Sequence, residues 1–137
     1  MNRHKYLRAY MAGIVVPTIV LVIAVTAFCI LRYTYNFPAP LERVMIFPMA
    51  VVPNLWGLWN MLFLASRSRT RLSIGLHGAL LPFLLGPLGI LLTRALDFQL
   101  PINTAHVLPV LAVVGLTAYY LLWKYLVGFL NRAVDLA

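Results

Sequence analysis

The stretch "PNLWGLWNMLFLASRSRTR", Pro53–Arg71, opens with amides and indoles set in an apolar run and closes on Arg67, Arg69 and Arg71. At about 100° per residue, Ala50, Pro53, Asn54, Gly57, Asn60 and Met61 share one helix face, with Trp56 and Trp59 on its flank. The segment thus reads as a two-sided apolar helix running into a cationic loop. Small residues and amides face other helices, and the indoles fill space against neighbours or wall a pocket.

The rest of the chain has the same character. Hydrophobic residues make up 63% of its 137 residues and charged ones 10%, against roughly 45–50% and 25% in soluble domains. Apolar runs cover residues 9–31, 44–65, 72–93 and 107–130, each long enough for the ~20-residue helix that crosses ~30 Å of hydrocarbon. The expectation is an all-α integral membrane protein, one domain over residues 1–137, folded as a four-transmembrane-helix bundle. The first run is read as a helix and not a cleaved leader, because its core is too long and no small-x-small site follows it.

Arginine and lysine orient these spans. Arg3, Lys5 and Arg8 precede the first, Arg67, Arg69 and Arg71 follow the second, and Arg132 ends the fourth. The other two loops are poorer, holding Arg32 and Arg43 against Glu42, and Arg94 against Asp97. Both termini are therefore expected on the cytoplasmic side, in a bacterial inner membrane. The net charge of +8 reads as topology plus attraction for anionic membrane lipids, with no pattern for nucleic acid.

Helical wheels assign the remaining faces. In the third run Gly75, Pro82 and Gly89, with Gly78, Ala79 and Gly86, form a small-residue stripe that is expected to meet the small face of the second. His77 lies about 150° from that stripe, among leucines, on a face that reads as lipid-exposed. In the fourth run His106, Val113, Thr117, Tyr120, Lys124, Gly128 and Asn131 fall on one seam. The first contributes Tyr6, Tyr10, Gly13, Pro17 and Ala24.

Lys124 stands out, since no acidic residue occurs in any span to offset it. It snorkels to the surface, joins a closed network, or binds an anion. The leading functional reading is non-enzymatic: an accessory subunit or binding module with an interior polar pocket for an anionic or amphiphilic ligand in the cytoplasmic half. Its candidate ligand-binding residues are Lys124, Asn60, Tyr120, Tyr10, Asn54, Thr117 and Trp56. The alternative is a small oligomeric anion or solute channel or transporter, and a lipid-modifying enzyme comes third. Self-association or membership of a membrane complex accompanies the first two.

Several chemistries lack their residues. The single Cys29 excludes an internal disulfide, a CxxC pair and a thiolate metal cluster. Glu42, Asp97 and Asp135 are too scattered to hold a divalent ion. Cation export by proton exchange lacks a membrane-embedded carboxylate. No catalytic residue, metal site or cofactor is therefore expected.

Overall fold

A computed structural model of the chain describes residues 4–36, 49–95 and 104–136, and every element among them is helical. The order is α1 (Lys5–Tyr35), α2 (Val52–Thr70), α3 (Ile74–Ala79), α4 (Leu81–Ala95), α5 (Thr104–Leu121), a π-helical segment (Leu122–Val127) and α6 (Gly128–Ala133). Three helical stretches are long and apolar enough to cross a membrane: Lys5–Tyr35, Ile74–Leu92 and Ala112–Ala133. The second expected span lies partly outside the described residues, at 44–48. So do Glu42, Arg43 and Asp97.

The cationic stretch is mostly helix. α2 continues through Arg67 and Arg69 to Thr70, and Arg71 closes it in the left-handed conformation, at φ 47°. Only Arg71 to Ser73 form the connection. Ser73 then starts α3 as its N-cap, its hydroxyl accepting from the Leu76 N–H at 3.3 Å, which satisfies one of the donors a helix start leaves open.

The third run is not one straight helix. Pro82 has no N–H to return to Gly78 and disfavours helical geometry in the residue before it. The ladder therefore tightens at Leu80, whose N–H reaches the His77 carbonyl at 3.3 Å while Phe83 N–H reaches Leu80 at 3.2 Å. The fourth run is interrupted the other way, by the wider turn of Leu122–Val127. Both breaks change the rotation of everything beyond them.

Packing follows the small residues, though not in the expected pairing. Glycines of α1 and α2 meet each other: a Cβ added to Gly13 would stand 2.7 Å from the Trp56 carbonyl oxygen and 2.9 Å from the Gly57 Cα. Gly75 and Gly78 of α3 turn instead to the C-terminal helix, where a Cβ on Gly78 would fall 2.0 Å from Trp123 Cγ and one on Gly75 2.8 Å from the Tyr120 ring. The two small faces thus do not meet each other, because each has a bulkier or equally flat neighbour of its own. On the far side of the Leu80 break, a methyl added to Gly86 would meet no described atom within 4 Å.

The core gathers Val16, Trp56, Leu81, Leu85, Trp123 and Val127. Among the described residues it lies toward the end of the bundle that carries Arg8, Arg67 and Asp135, where Arg8 and Asp135 form an ion pair at 3.3 Å and Arg67 donates to the Leu136 carbonyl at 3.2 Å.

Candidate functional site

At the arginine-rich end, α1, α2 and α6 are joined by a buried amide clamp. The Asn60 Nδ2 group donates to the Ala9 carbonyl at 2.7 Å and to Asn131 Oδ1 at 2.8 Å, and Asn131 Nδ2 returns a bond to Asn60 Oδ1 at 3.0 Å. Both amides are buried. In a medium without water such groups must find protein partners, and here the two amides serve each other.

A second polar contact locks α3 onto α2. Trp59 Nε1 donates to the His77 carbonyl at 2.8 Å, and His77 Nε2 lies 3.1 Å from the Trp59 carbonyl. A carbonyl only accepts, so Nε2 carries the proton. The imidazole also packs against the rings of Trp59, Phe63 and Trp123, with centroids 4.9, 5.3 and 6.1 Å away. The expectation of a lipid-facing His77 is therefore corrected: the residue is 5% exposed. The reason is that α3 is enclosed from two directions, its glycines against the C-terminal helix and its histidine against α2.

Beside the amide clamp lies a cavity of about 270 Å³. Phe63, Leu64, Leu72 and Ile74 give it apolar walls, while Arg67, Arg132, Ser73 and Asn131 also line it. No carboxylate is among its lining residues. Arg67 reaches it from the last turn of α2, seven residues beyond Asn60 and on the same face, whereas Arg132 follows Asn131 in α6. Two guanidiniums, a hydroxyl and aliphatic walls present the chemistry of an anionic headgroup attached to an apolar body.

The candidates named from the sequence occupy several places. Tyr10 donates its hydroxyl to Asn54 Oδ1, and Asn54 Nδ2 donates to the Ala50 carbonyl one turn back at 2.7 Å. Lys124 is exposed, its ammonium 5.5 Å from the Tyr120 ring centre and 5.4 Å from that of Tyr125. Thr117 is exposed and donates to its own helix at Val113, 2.8 Å away. Trp56 is buried against Tyr119 and Trp123. The structure brings Tyr10 to Asn54 and Lys124 to Tyr120; among the described hydrogen bonds Asn60 meets Ala9 and Asn131, not Lys124.

The expected seam breaks at the π-helical turn. Trp123, Val127, Gly128 and Asn131 point inward while Lys124 points out, because i→i+5 bonding widens the turn and delays each following side chain. The side chain of His106 lies outside the described residues.

Arg67, Arg132 and Ser73 are not among the candidates that the sequence offers for the site. Their sequence signal is the seven-residue step from Asn60 to Arg67, which puts a cation on the inward face at the helix end. A further feature has no sequence signal: among the described residues, the buried Trp123 indole N–H has no partner, at a cost of about 1–3 kcal/mol.

Among the described residues no three His, Cys, Asp or Glu side chains converge on a point that would hold a metal ion. The chain is thus an all-helical protein with three stretches able to cross a membrane and a cationic cavity at one end. Comparison with models of known protein families, with curated protein sequences and with solved structures finds no match.

Proposed function

We propose that this protein is a non-enzymatic membrane binding module that holds the headgroup of an anionic amphiphile at its arginine-rich end. The observation that carries the reading is the pairing of Arg67 and Arg132 around one apolar-walled cavity without a lining carboxylate. Pockets for whole drug-sized ligands run to about 300–1,000 Å³, so 270 Å³ suits a headgroup whose chains stay outside. Exposed aliphatic side chains such as Leu62, Leu76 and Leu126 offer those chains a surface no different from lipid. Asn60 serves the site indirectly by holding Asn131, and Lys124, one turn before Gly128, adds charge nearby.

In this reading the apolar run 44–65 supplies the fourth span. The arginine-rich end with both termini faces the cytoplasm of a bacterial inner membrane, following the bias of lysine and arginine. The module works as a homo-oligomer or as a subunit of a membrane complex, since the aliphatic far half leaves much surface for neighbours. Thr117 faces outward in a single chain, so a channel would need further copies to enclose it; no observation favours that alternative.

The test is thermal unfolding of the full chain in mild detergent with added phosphatidylglycerol, phosphatidylcholine or inorganic phosphate. Phosphatidylglycerol is expected to raise Tm and phosphatidylcholine to leave it unchanged. At about 1 kcal/mol per cation, Arg67→Gln with Arg132→Gln is expected to weaken the apparent affinity about 25-fold. Equal protection of the double variant would remove the cavity from the reading, and protection by phosphate alone would assign the site to a free anion.

A further inference from the structure

The arginine cavity is unbalanced between hydrogen-bond donors and acceptors. Guanidinium groups only donate, and Arg67 and Arg132 bring two of them to its lining. Arg67 places one N–H on the Leu136 carbonyl at 3.2 Å. The Arg132 side chain reaches back over Gly128 and makes no hydrogen bond among the described residues. Ser73 Oγ accepts from the Leu76 N–H at 3.3 Å, which leaves its O–H to donate. Asn131 Oδ1 accepts from Asn60 at 2.8 Å, and its amide nitrogen returns one bond to Asn60, so a second N–H remains. Both side-chain acceptors in the lining thus already take a bond, whereas donors on α2, α6 and the start of α3 do not give all of theirs.

Charge points the same way. The one carboxylate among the described residues, Asp135, pairs with Arg8 at 3.3 Å, and neither cavity arginine has an ionic partner there. Such a lining selects an occupant made of acceptors. A carboxylate offers two oxygens, which suit a fork-to-fork pairing with a single guanidinium. A phosphodiester likewise has two unesterified oxygens. A phosphate monoester has three and carries about −1.5 to −2 at pH 7, which matches two guanidiniums approaching from different helices.

Resting on the arginine-cavity reading above, we infer that the group held there is a phosphate monoester, bound between Arg67 and Arg132, with the Ser73 hydroxyl and the Asn131 amide donating to its remaining oxygen. The apolar walls Phe63, Leu64, Leu72 and Ile74 meet the carbons beyond the ester, as in phosphatidate.

The test follows thermal unfolding of the full chain in mild detergent with phosphatidate, phosphatidylglycerol, phosphatidylmethanol or oleate. Mole fractions are matched for surface charge at about pH 8, where the monoester is a dianion. Phosphatidate is expected to bind about tenfold more tightly than either phosphodiester, the effect of one further charge-assisted hydrogen bond. Phosphatidylmethanol has no hydroxyl, so it separates the lost oxygen from the glycerol group of phosphatidylglycerol. Arg132→Gln should bring the preference toward unity, while Arg69→Gln, on the same helix end but outside the cavity lining, should preserve it. A ratio of affinities within one variant does not move with fold stability alone.

Equal binding of phosphatidate and the two phosphodiesters would overturn the monoester and leave an anion site standing. So would oleate binding as tightly as phosphatidate, or a preference that survives Arg132→Gln. Protection by none of these lipids would instead overturn the arginine-cavity reading itself. Glycerol 3-phosphate protecting as well as phosphatidate would uphold the monoester and make its source a soluble one.

Discussion

At the arginine-rich end Ala9, Gly57, Asn60, His77, Trp123 and Asn131 are all buried, whereas along residues 18–35 of α1 and 109–121 of α5 no described side chain is. The two regions differ in chemistry as well as in packing. The closed end adds glycine, alanine, amides and aromatic rings to a few buried aliphatic side chains such as Val16, Leu81 and Val127; the open one is mainly valine, isoleucine and leucine. Helices in a membrane gain nothing from burying aliphatic surface that lipid already solvates, so association rests on close approach and on interhelical hydrogen bonds. Among the described residues the open half shows no such close approach at its glycines: a methyl on Gly86 or Gly115 would meet nothing within 4 Å there.

The sharpest way to break this contrast is one substitution made in each region. Gly78→Ala places a methyl 2.0 Å from Trp123 Cγ and is expected to cost about 3 kcal/mol, the upper part of the overpacking range. Gly115→Ala meets open space and is expected to stabilise by about 0.5–1 kcal/mol through helix propensity alone. Reversible unfolding in a denaturing detergent series measures both, and changes of the same sign would end the comparison.

A smaller effect tests whether the amides hold the closed end. Asn60→Leu leaves Asn131 buried without its partner, at an expected cost of about 2 kcal/mol. Adding Asn131→Leu should cost less than the sum of the single changes, with a coupling above the ~0.6 kcal/mol average for membrane proteins. Strict additivity would show that the clamp contributes nothing as a pair.

The smallest expected effect concerns His77. His77→Phe keeps ring packing against Trp59, Phe63 and Trp123 and loses the contact to the Trp59 carbonyl, which should cost about 1 kcal/mol. A histidine facing lipid would give no such loss, and the substitution there would be neutral or stabilising.

Part of the candidate site is legible in the sequence. The inward assignment of Gly57 and Asn60 follows from spacing within an uninterrupted helix and holds in α2, where no break intervenes. Asn131 lies on the expected seam and is buried, but Lys124 on the same seam is not, because the π-helical turn lies between Tyr120 and Gly128. His77 departs from its expected face for a related reason: its short helix ends at Leu80 and is covered on two sides. The arginines at 67 and 132 speak in the sequence of topology alone, since nothing in a linear chain says that two helix ends will enclose one cavity.

What the sequence determined by itself was the helical form, the presence of stretches long and apolar enough to cross a membrane, and the concentration of positive charge toward one end. These follow from composition, run length and the position of arginine, which are local quantities. Only the tertiary structure decided that Asn60 meets Asn131, that Gly78 receives Trp123, and that Arg67 and Arg132 line one cavity. Such pairings depend on the accumulated rotation along each helix, and a tightened turn at Leu80 or a widened one after Leu121 changes that rotation for every residue beyond it.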